Sequence, residues 1–349
     1  MKEKNSEVSE LSSETLLEKE TMQDKTDVKS DKQKVRKKVR RGKYIIIILC
    51  CFLALVLTVS VTVISVFFSY YAKIAADEED YGDIVSFTDA DMAEIPEGKV
   101  ILPEEDIFKD KNVANILLIG TDERTEKFDK YARADSIMIL SLNKKTHNVK
   151  LVSLERGMTV RIPGRKNDLL THTFHWGGSK LVVETVRSHF NLDVDRYVRV
   201  NFSVFEKLVD EVGGVDVVLT KKEAEALTQY GVVEGKNHLN GAQALAFSRL
   251  RSIDSDWKRV KRQRKVVAAI KNNLKEKSLF EIKDITDVCL PYVQTNLTAA
   301  ELADLVLHLP SYAKGELDQM TIPQERTYKG LGNVDFKANS EILRSFLYD

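Results

Sequence analysis

Five arginines, Arg249, Arg251, Arg259, Arg262 and Arg264, fall within sixteen residues of the run SRLRSIDSDWKRVKRQR. The 349-residue chain as a whole is neutral, with 53 Lys and Arg against 53 Asp and Glu, so this basicity is local and calls for a local anion. A guanidinium presents a planar fork of donors that matches phosphate oxygens in pairs, and it stays charged when water is excluded, so such a cluster can clamp a phosphate. On charge alone it can equally be a solvated basic face or a patch for anionic lipid. A second set of charges sits at the ends of two strand-like runs: Asp122 and Arg124 follow NILLIG (115–120), and Arg133 and Asp135 precede SIMILSL (136–142). Ligands of open α/β sheets bind beyond strand ends, which can bring these four residues to one crevice. Two carboxylates, Asp122 and Asp135, suffice for magnesium, or manganese in its place, when substrate phosphates complete the coordination shell. An Asp after a strand is otherwise a common turn former or helix cap.

These residues need elements to position them. VKLVSL (149–154) reads as a third strand of the same sheet, RYVRVNF (196–202) as another, and GGVDVVL (213–219) as one more after a glycine stop. Residues 178–190 and 203–212 carry the helical apolar period. Strands alternating with helices predict an α/β fold, a three-layer sandwich with a central mixed sheet flanked by helices. Two further helices, over 240–250 and 257–277, carry the arginine cluster, with Asp256 as a possible N-cap of the second. Arg259 and Arg262 share a face of that second helix, while Arg249 and Arg251 end the first, so the two pairs can converge.

Upstream, Tyr44 to Phe68 are twenty-five residues without a charge, enough at 1.5 Å per residue to cross a hydrocarbon core of roughly 30 Å. A cleaved signal peptide would have a shorter apolar region and no basic lead of this length. Eight of the twelve residues from Lys32 to Lys43 are Lys or Arg, whereas Asp77, Glu78, Glu79 and Asp80 follow the span, which places the N-terminus in the cytoplasm and the bulk of the chain outside. The expected organisation is a disordered cytoplasmic tail over 1–43, a transmembrane helix over 44–68, an extracellular stalk or small accessory element over 69–111, and an extracellular domain over 112–349. Cys50 and Cys51 lie in the span and Cys289 has no extracellular partner, so packing rather than disulfides must hold the domain together.

In chain order, NILLIGTDER, ARADSIMILSLN, KLVSLERGMTVRIPG, a GG-led helix ending near VDRYVRVNF, LVDEVGGVDV, LNGAQALAFSRLR and DWKRVKRQRKVV resemble the LytR-CpsA-Psr family of bacterial cell-envelope proteins, with TNLTAAEL and TIP as its closing portion. The resemblance implies a membrane-anchored phosphotransferase that moves a glycopolymer, a teichoic acid or a capsular or other secondary wall polysaccharide, from polyprenyl pyrophosphate to peptidoglycan through a phosphodiester. It implies magnesium on Asp122 and Asp135, a catalytic pyrophosphate clamp of Arg133, Arg156, Arg249 and Arg251, and support from Arg124, Arg259, Arg262 and Gln263. Arg264 is left as surface. It also implies a lipid tunnel between the sheet and its helices, for which Leu181, Val182, Phe202 and Phe205 are candidate wall residues, ordinary core being the alternative reading of each.

Two departures from the family pattern stand out. Gly157 replaces the usual aspartate after Arg156, and Leu169-Leu170-Thr171 replaces a Lys-x-Asn segment ahead of the GG pair. The general base is therefore left among Asp122, Asp135 and Glu155. A pyrophosphate hydrolase and a non-catalytic membrane regulator or lipid sensor are the competing functions. Nucleic acid is not an expected partner, because the tail offers no helix-turn-helix pattern. His172 and His175 lack an evident third metal ligand, and Ser179, Ser203 and Ser248 lack a nucleophile-elbow setting. Gly177-Gly178 and Gly213-Gly214 are explained by turns or helix boundaries.

Overall fold

A computed structural model describes residues 107–123 and 132–348. The tail over 1–43, the span over 44–68 and most of the stalk over 69–111 lie outside the described residues, as does Arg124.

The described residues open with strands β1 (Val113–Thr121), β2 (Ala134–Asn143), β3 (Val149–Leu154), β4 (Thr159–Arg161) and β5 (Asn167–Leu169). Helix α1 (Leu170–Phe190), β6 (Arg196–Val200), α2 (Phe202–Glu211), β7 (Val215–Leu219), α3 (Lys221–Ala226) and β8 (Gly235–Leu239) follow. Then come α4 (Gly241–Arg249), α5 (Asp256–Leu274), α6 (Leu279–Cys289), β9 (Gln294–Thr295), α7 (Ala299–Lys314), β10 (Leu317–Ile322) and α8 (Phe336–Tyr348). Six strands form one mixed sheet in the order β10-β3-β2-β1-β6-β9, with β10 parallel to β3 and β6 parallel to β1.

Side chains alternate across a strand, so each strand feeds two cores. Leu117 and Ile119 of β1 and Ile137 and Ile139 of β2 pack beneath the sheet with Phe174, Val186 and Phe190 of α1 and Phe336 and Leu343 of α8. Their neighbours Ile116, Leu118, Leu140 and Leu142 face the other way, toward Tyr312 of α7. The expected three layers are present. The GGVDVVL segment does form a strand, but β7 pairs with β8 in a separate two-stranded sheet whose core is shared with α2, α4 and α5.

Local chemistry fixes the helices that matter for the site. Asn201, itself buried, caps α2 by accepting the Val204 N–H, and α4 opens with a reciprocal box in which Asn240 and Gln243 satisfy one another's backbone donors. Gly241 is required where α4 crosses α2, since a Cβ there would lie 2.3 Å from the Glu206 carbonyl oxygen. The helix predicted from 178 starts at Leu170 and is interrupted at Gly177-Gly178, where Gly178 has φ 58° and ψ −159°, a conformation open to glycine. The N-cap of α5 is Ser255 rather than Asp256, which is the first helical residue and turns its carboxylate to the arginines instead. Cys289 is a free, buried thiol.

Candidate functional site

Between the sheet and helices α2, α4 and α5 lies a cavity of about 340 Å³. Leu118, Met138, Val198 and Val200 form its sheet side, and Phe202, Phe205, Leu208, Leu245, Val267 and Ile270 its helical side. Its charged lining is Asp135, Arg249, Arg251 and Arg259, joined by Gln263. The cavity is therefore apolar through most of its wall and cationic at one part of it. A smaller cavity of about 150 Å³ shares Val267 and Ile270 with it and is bounded by Leu140, Leu151, Leu274 and Leu309, so the apolar track extends along α5.

Of the four residues named for a lipid wall, Phe202 and Phe205 line the cavity. Leu181 and Val182 do not: both are buried in the core on the opposite face of the sheet, because α1 packs there.

Most of the charged lining belongs to one network. Arg156 reaches Asp135 through Nη1, and its Nε donates to Asp256 Oδ2 at 3.4 Å. Arg259 Nη2 donates to the same Oδ2 at 2.8 Å, and Arg251 Nε lies 3.8 Å from Oδ1. Arg249 lays its guanidinium over the Phe202 ring at 4.3 Å, which holds it at the boundary between the charged and apolar parts. Burial opposes ionisation of Asp256, yet a hydrogen bond from Glu155 and the charges of Arg259 and Arg156 outweigh it and hold its carboxyl below the usual range.

Glu155 behaves oppositely. It is fully buried, and no donor reaches either of its oxygens. Burial first, then the Asp256 carboxylate, push its pKa up to about 8 against the opposing pull of Arg259 and Arg156. Both causes favour its protonated form. A Cβ on Gly157 would stand 4.0 Å from Glu155 Oε1 and 3.0 Å from Leu331 Cδ1. The aspartate that the family pattern places at 157 would thus crowd this same neighbourhood, which Glu155 already fills.

The remaining site residues are distributed less evenly. Asp122 Oδ1 accepts the backbone N–H of Arg133 at 2.9 Å, which ties the ends of β1 and β2, while the Arg133 side chain is exposed. Neither lines the cavity wall. Arg262 is placed elsewhere: it is buried, donates to Glu223 and to the Leu250 carbonyl at 2.7 Å each, and pairs with Asp254. It clasps α5 to α3 and to the α4–α5 turn, so its contact with the cavity is indirect. Arg264, expected at the surface, is buried and donates to the Met320 carbonyl and Thr321 on β10. His172 pairs with Asp168 at 2.9 Å and His175 packs edge-on against Trp176. Asp256 escaped the sequence reading as a site residue; its position one turn before Arg259 was the available signal.

This arrangement can bind a phosphorylated head group at Arg156, Arg249, Arg251 and Arg259 and an apolar chain behind it. The LytR_cpsA_psr family model matches residues 68–347. A Bacillus anthracis protein named polyisoprenyl-teichoic acid–peptidoglycan teichoic acid transferase TagU is 39% identical over 207 residues, 58% of this chain and 66% of that protein. The chain thus spans just under two thirds of that relative's length. Among solved structures, TagT bound to LIIa-WTA is 27% identical with a TM-score of 0.56, covering 68% of this chain and 91% of that one. YwtF (TagT) with bound octaprenyl pyrophosphate lipid is 25% identical with a TM-score of 0.51 over 68% of this chain and 91% of that one.

Proposed function

The chain belongs to the LytR-CpsA-Psr family, and we propose that it is a membrane-anchored phosphotransferase that moves a glycopolymer from polyprenyl pyrophosphate to peptidoglycan. The observation that carries this reading is the cavity itself, with arginines at one part of its wall and aliphatic and aromatic side chains along the rest. A pyrophosphate head with a hydrocarbon tail has that same division. In this reading the basic run before residue 44 and the apolar span hold the site on the outer face of a cell membrane.

The acceptor hydroxyl of the peptidoglycan sugar attacks the phosphorus that bears the glycopolymer. The bond from that phosphorus to the bridging oxygen breaks, a phosphodiester forms, and polyprenyl monophosphate leaves. Such transfers depend on positioning and charge neutralisation more than on covalent help. Arg249, Arg251 and Arg259 meet the charge that develops on the leaving phosphate, and Arg156, which shares Asp256 with Arg251 and Arg259, holds Asp135. The hydroxyl proton goes to a carboxylate, for which Asp122, Asp135 and Glu155 are the candidates; burial pushes the Glu155 pKa up to about 8, toward the range of a base working near neutrality.

Asp122 and Asp135 fit a magnesium ion in donor type: two hard carboxylates whose strand ends are tied by the Asp122 to Arg133 hydrogen bond, with substrate phosphates to complete the shell. When bound there, magnesium supplies further charge neutralisation on the pyrophosphate. Asp135 is held by Arg156, so Arg156 sets the position of that carboxylate.

Replacing a charged hydrogen-bonding partner removes about 1.5 to 3 kcal/mol, so Arg251→Ala and Asp135→Ala each lower transfer by roughly ten- to hundredfold while the circular dichroism spectrum stays that of a folded domain. Turnover by full-length protein on a synthetic polyprenyl-pyrophosphate-linked glycan measures this. Undiminished activity in both variants removes these residues from the reaction.

A further inference from the structure

Residues that the transfer step leaves unused form a cluster around the junction of β5 and α1. Trp176 remains 38% exposed. Its Nε1 donates to Asp168 Oδ2 at 3.2 Å, and the same carboxylate pairs through Oδ1 with His172 Nδ1 at 2.9 Å. Arg165 holds its guanidinium over the indole at 4.4 Å. One carboxylate thus orients an indole and an imidazole together. Burial raises its pKa, but the hydrogen bonds from His172, the Leu169 N–H and Trp176 prevail and keep Asp168 ionised below its ordinary range.

The segment carrying this cluster is bonded directly to the catalytic elements. Thr171 donates its backbone N–H to the Arg156 carbonyl at 2.9 Å and its hydroxyl to the Ala134 carbonyl at 2.8 Å, one residue before Asp135. The Gly177-Gly178 break ends the short helical stretch that presents Trp176. Ordering four long or planar polar side chains at a surface costs rotamer entropy that burial of this partial kind does little to repay.

The combination matches a saccharide. The axial C–H face of a pyranose packs on an indole. Its hydroxyl and acetamido groups need a carboxylate acceptor and an imidazole, and a sugar-borne carboxylate needs a guanidinium. We propose that Trp176, Asp168, His172 and Arg165 form a subsite for the acceptor glycan, taking an N-acetylated, carboxylate-bearing amino sugar of the strand that receives the phosphate. This inference rests on the phosphotransferase reading for the identity of the acceptor.

The test uses full-length protein in detergent micelles and a muramic-acid-containing peptidoglycan tetrasaccharide. Trp176→Ala weakens tetrasaccharide binding, read by calorimetry, and raises the acceptor KM, each by at least about tenfold, while the donor KM shifts less than about twofold. Trp176→Phe, which keeps a ring, recovers part of both, and circular dichroism excludes unfolding. Unchanged acceptor KM and binding in Trp176→Ala, or no binding by the wild-type protein, overturns the subsite. Tetrasaccharide binding that depends on Trp176 in a protein that performs no transfer upholds the subsite and removes the phosphotransferase reading instead.

Discussion

Glu155 illustrates what residue types disclose and what they conceal. Its position beside Arg156 made it a candidate base, and the fold buries it near Asp256, which pushes its pKa up to about 8. The sign for stability follows from proton counts. Between an unfolded value of 4.5 and a folded value of about 8, the native state binds the extra proton, so stability falls as pH rises through that window and levels off above it. Glu155→Gln removes this ionisation, so urea midpoints of the variant decline less between pH 5 and pH 8 than those of the wild type; parallel declines would contradict a buried protonated Glu155. Asp135, Arg249, Arg251 and Arg259 line the cavity, as their spacing at strand and helix ends suggested, whereas Arg133 is exposed and Arg262 and Arg264 are buried in contacts away from it. The Arg156 to Asp256 contact spans 100 residues, and no local pattern reports it.

At the scale of elements, the strands β1, β2, β3 and β6 were readable because each is a short apolar run with clear ends. Strand β10 was not, since LDQMTI carries little alternation and owes its place to parallel pairing with β3. Periodicity also could not choose a side for the helices. α1 and α2 both carry apolar stripes, yet Leu181 and Val182 of α1 pack under the sheet while Phe202 and Phe205 of α2 wall the cavity above it. That distinction depends on crossover direction, which the stripe does not encode. The contact of α4 with α2 gives a test. Gly241→Ala places a Cβ 2.3 Å from a backbone oxygen that cannot rotate away, so the helices must separate at a cost of about 1 to 3 kcal/mol. Chemical denaturation of the full chain measures the loss, and the donor KM rises with it because Arg249 and Leu245 move with α4. Wild-type stability would show that the crossing is looser than described.

For the whole molecule, a neutral chain carries two dense basic stretches. One is the run before the apolar span, and the other supplies the arginines that line one part of a largely apolar cavity. In the proposed reading the first flanks a membrane span on the cytoplasmic side and the second meets the pyrophosphate of a lipid-borne substrate. The family pattern was legible in the sequence because its motifs fall at the strand ends and helix faces that build this wall; the Glu155–Asp256 proton and the Trp176 cluster were not, since each depends on packing around a local departure from that pattern. The most direct measurement is the product formed when full-length protein receives a phosphorus-labelled polyprenyl-pyrophosphate-linked glycan, magnesium and a peptidoglycan oligomer. The account predicts label joined to the oligomer through a phosphodiester, with polyprenyl monophosphate released in equal amount. Label appearing as free glycan phosphate, or remaining on the lipid, would contradict it.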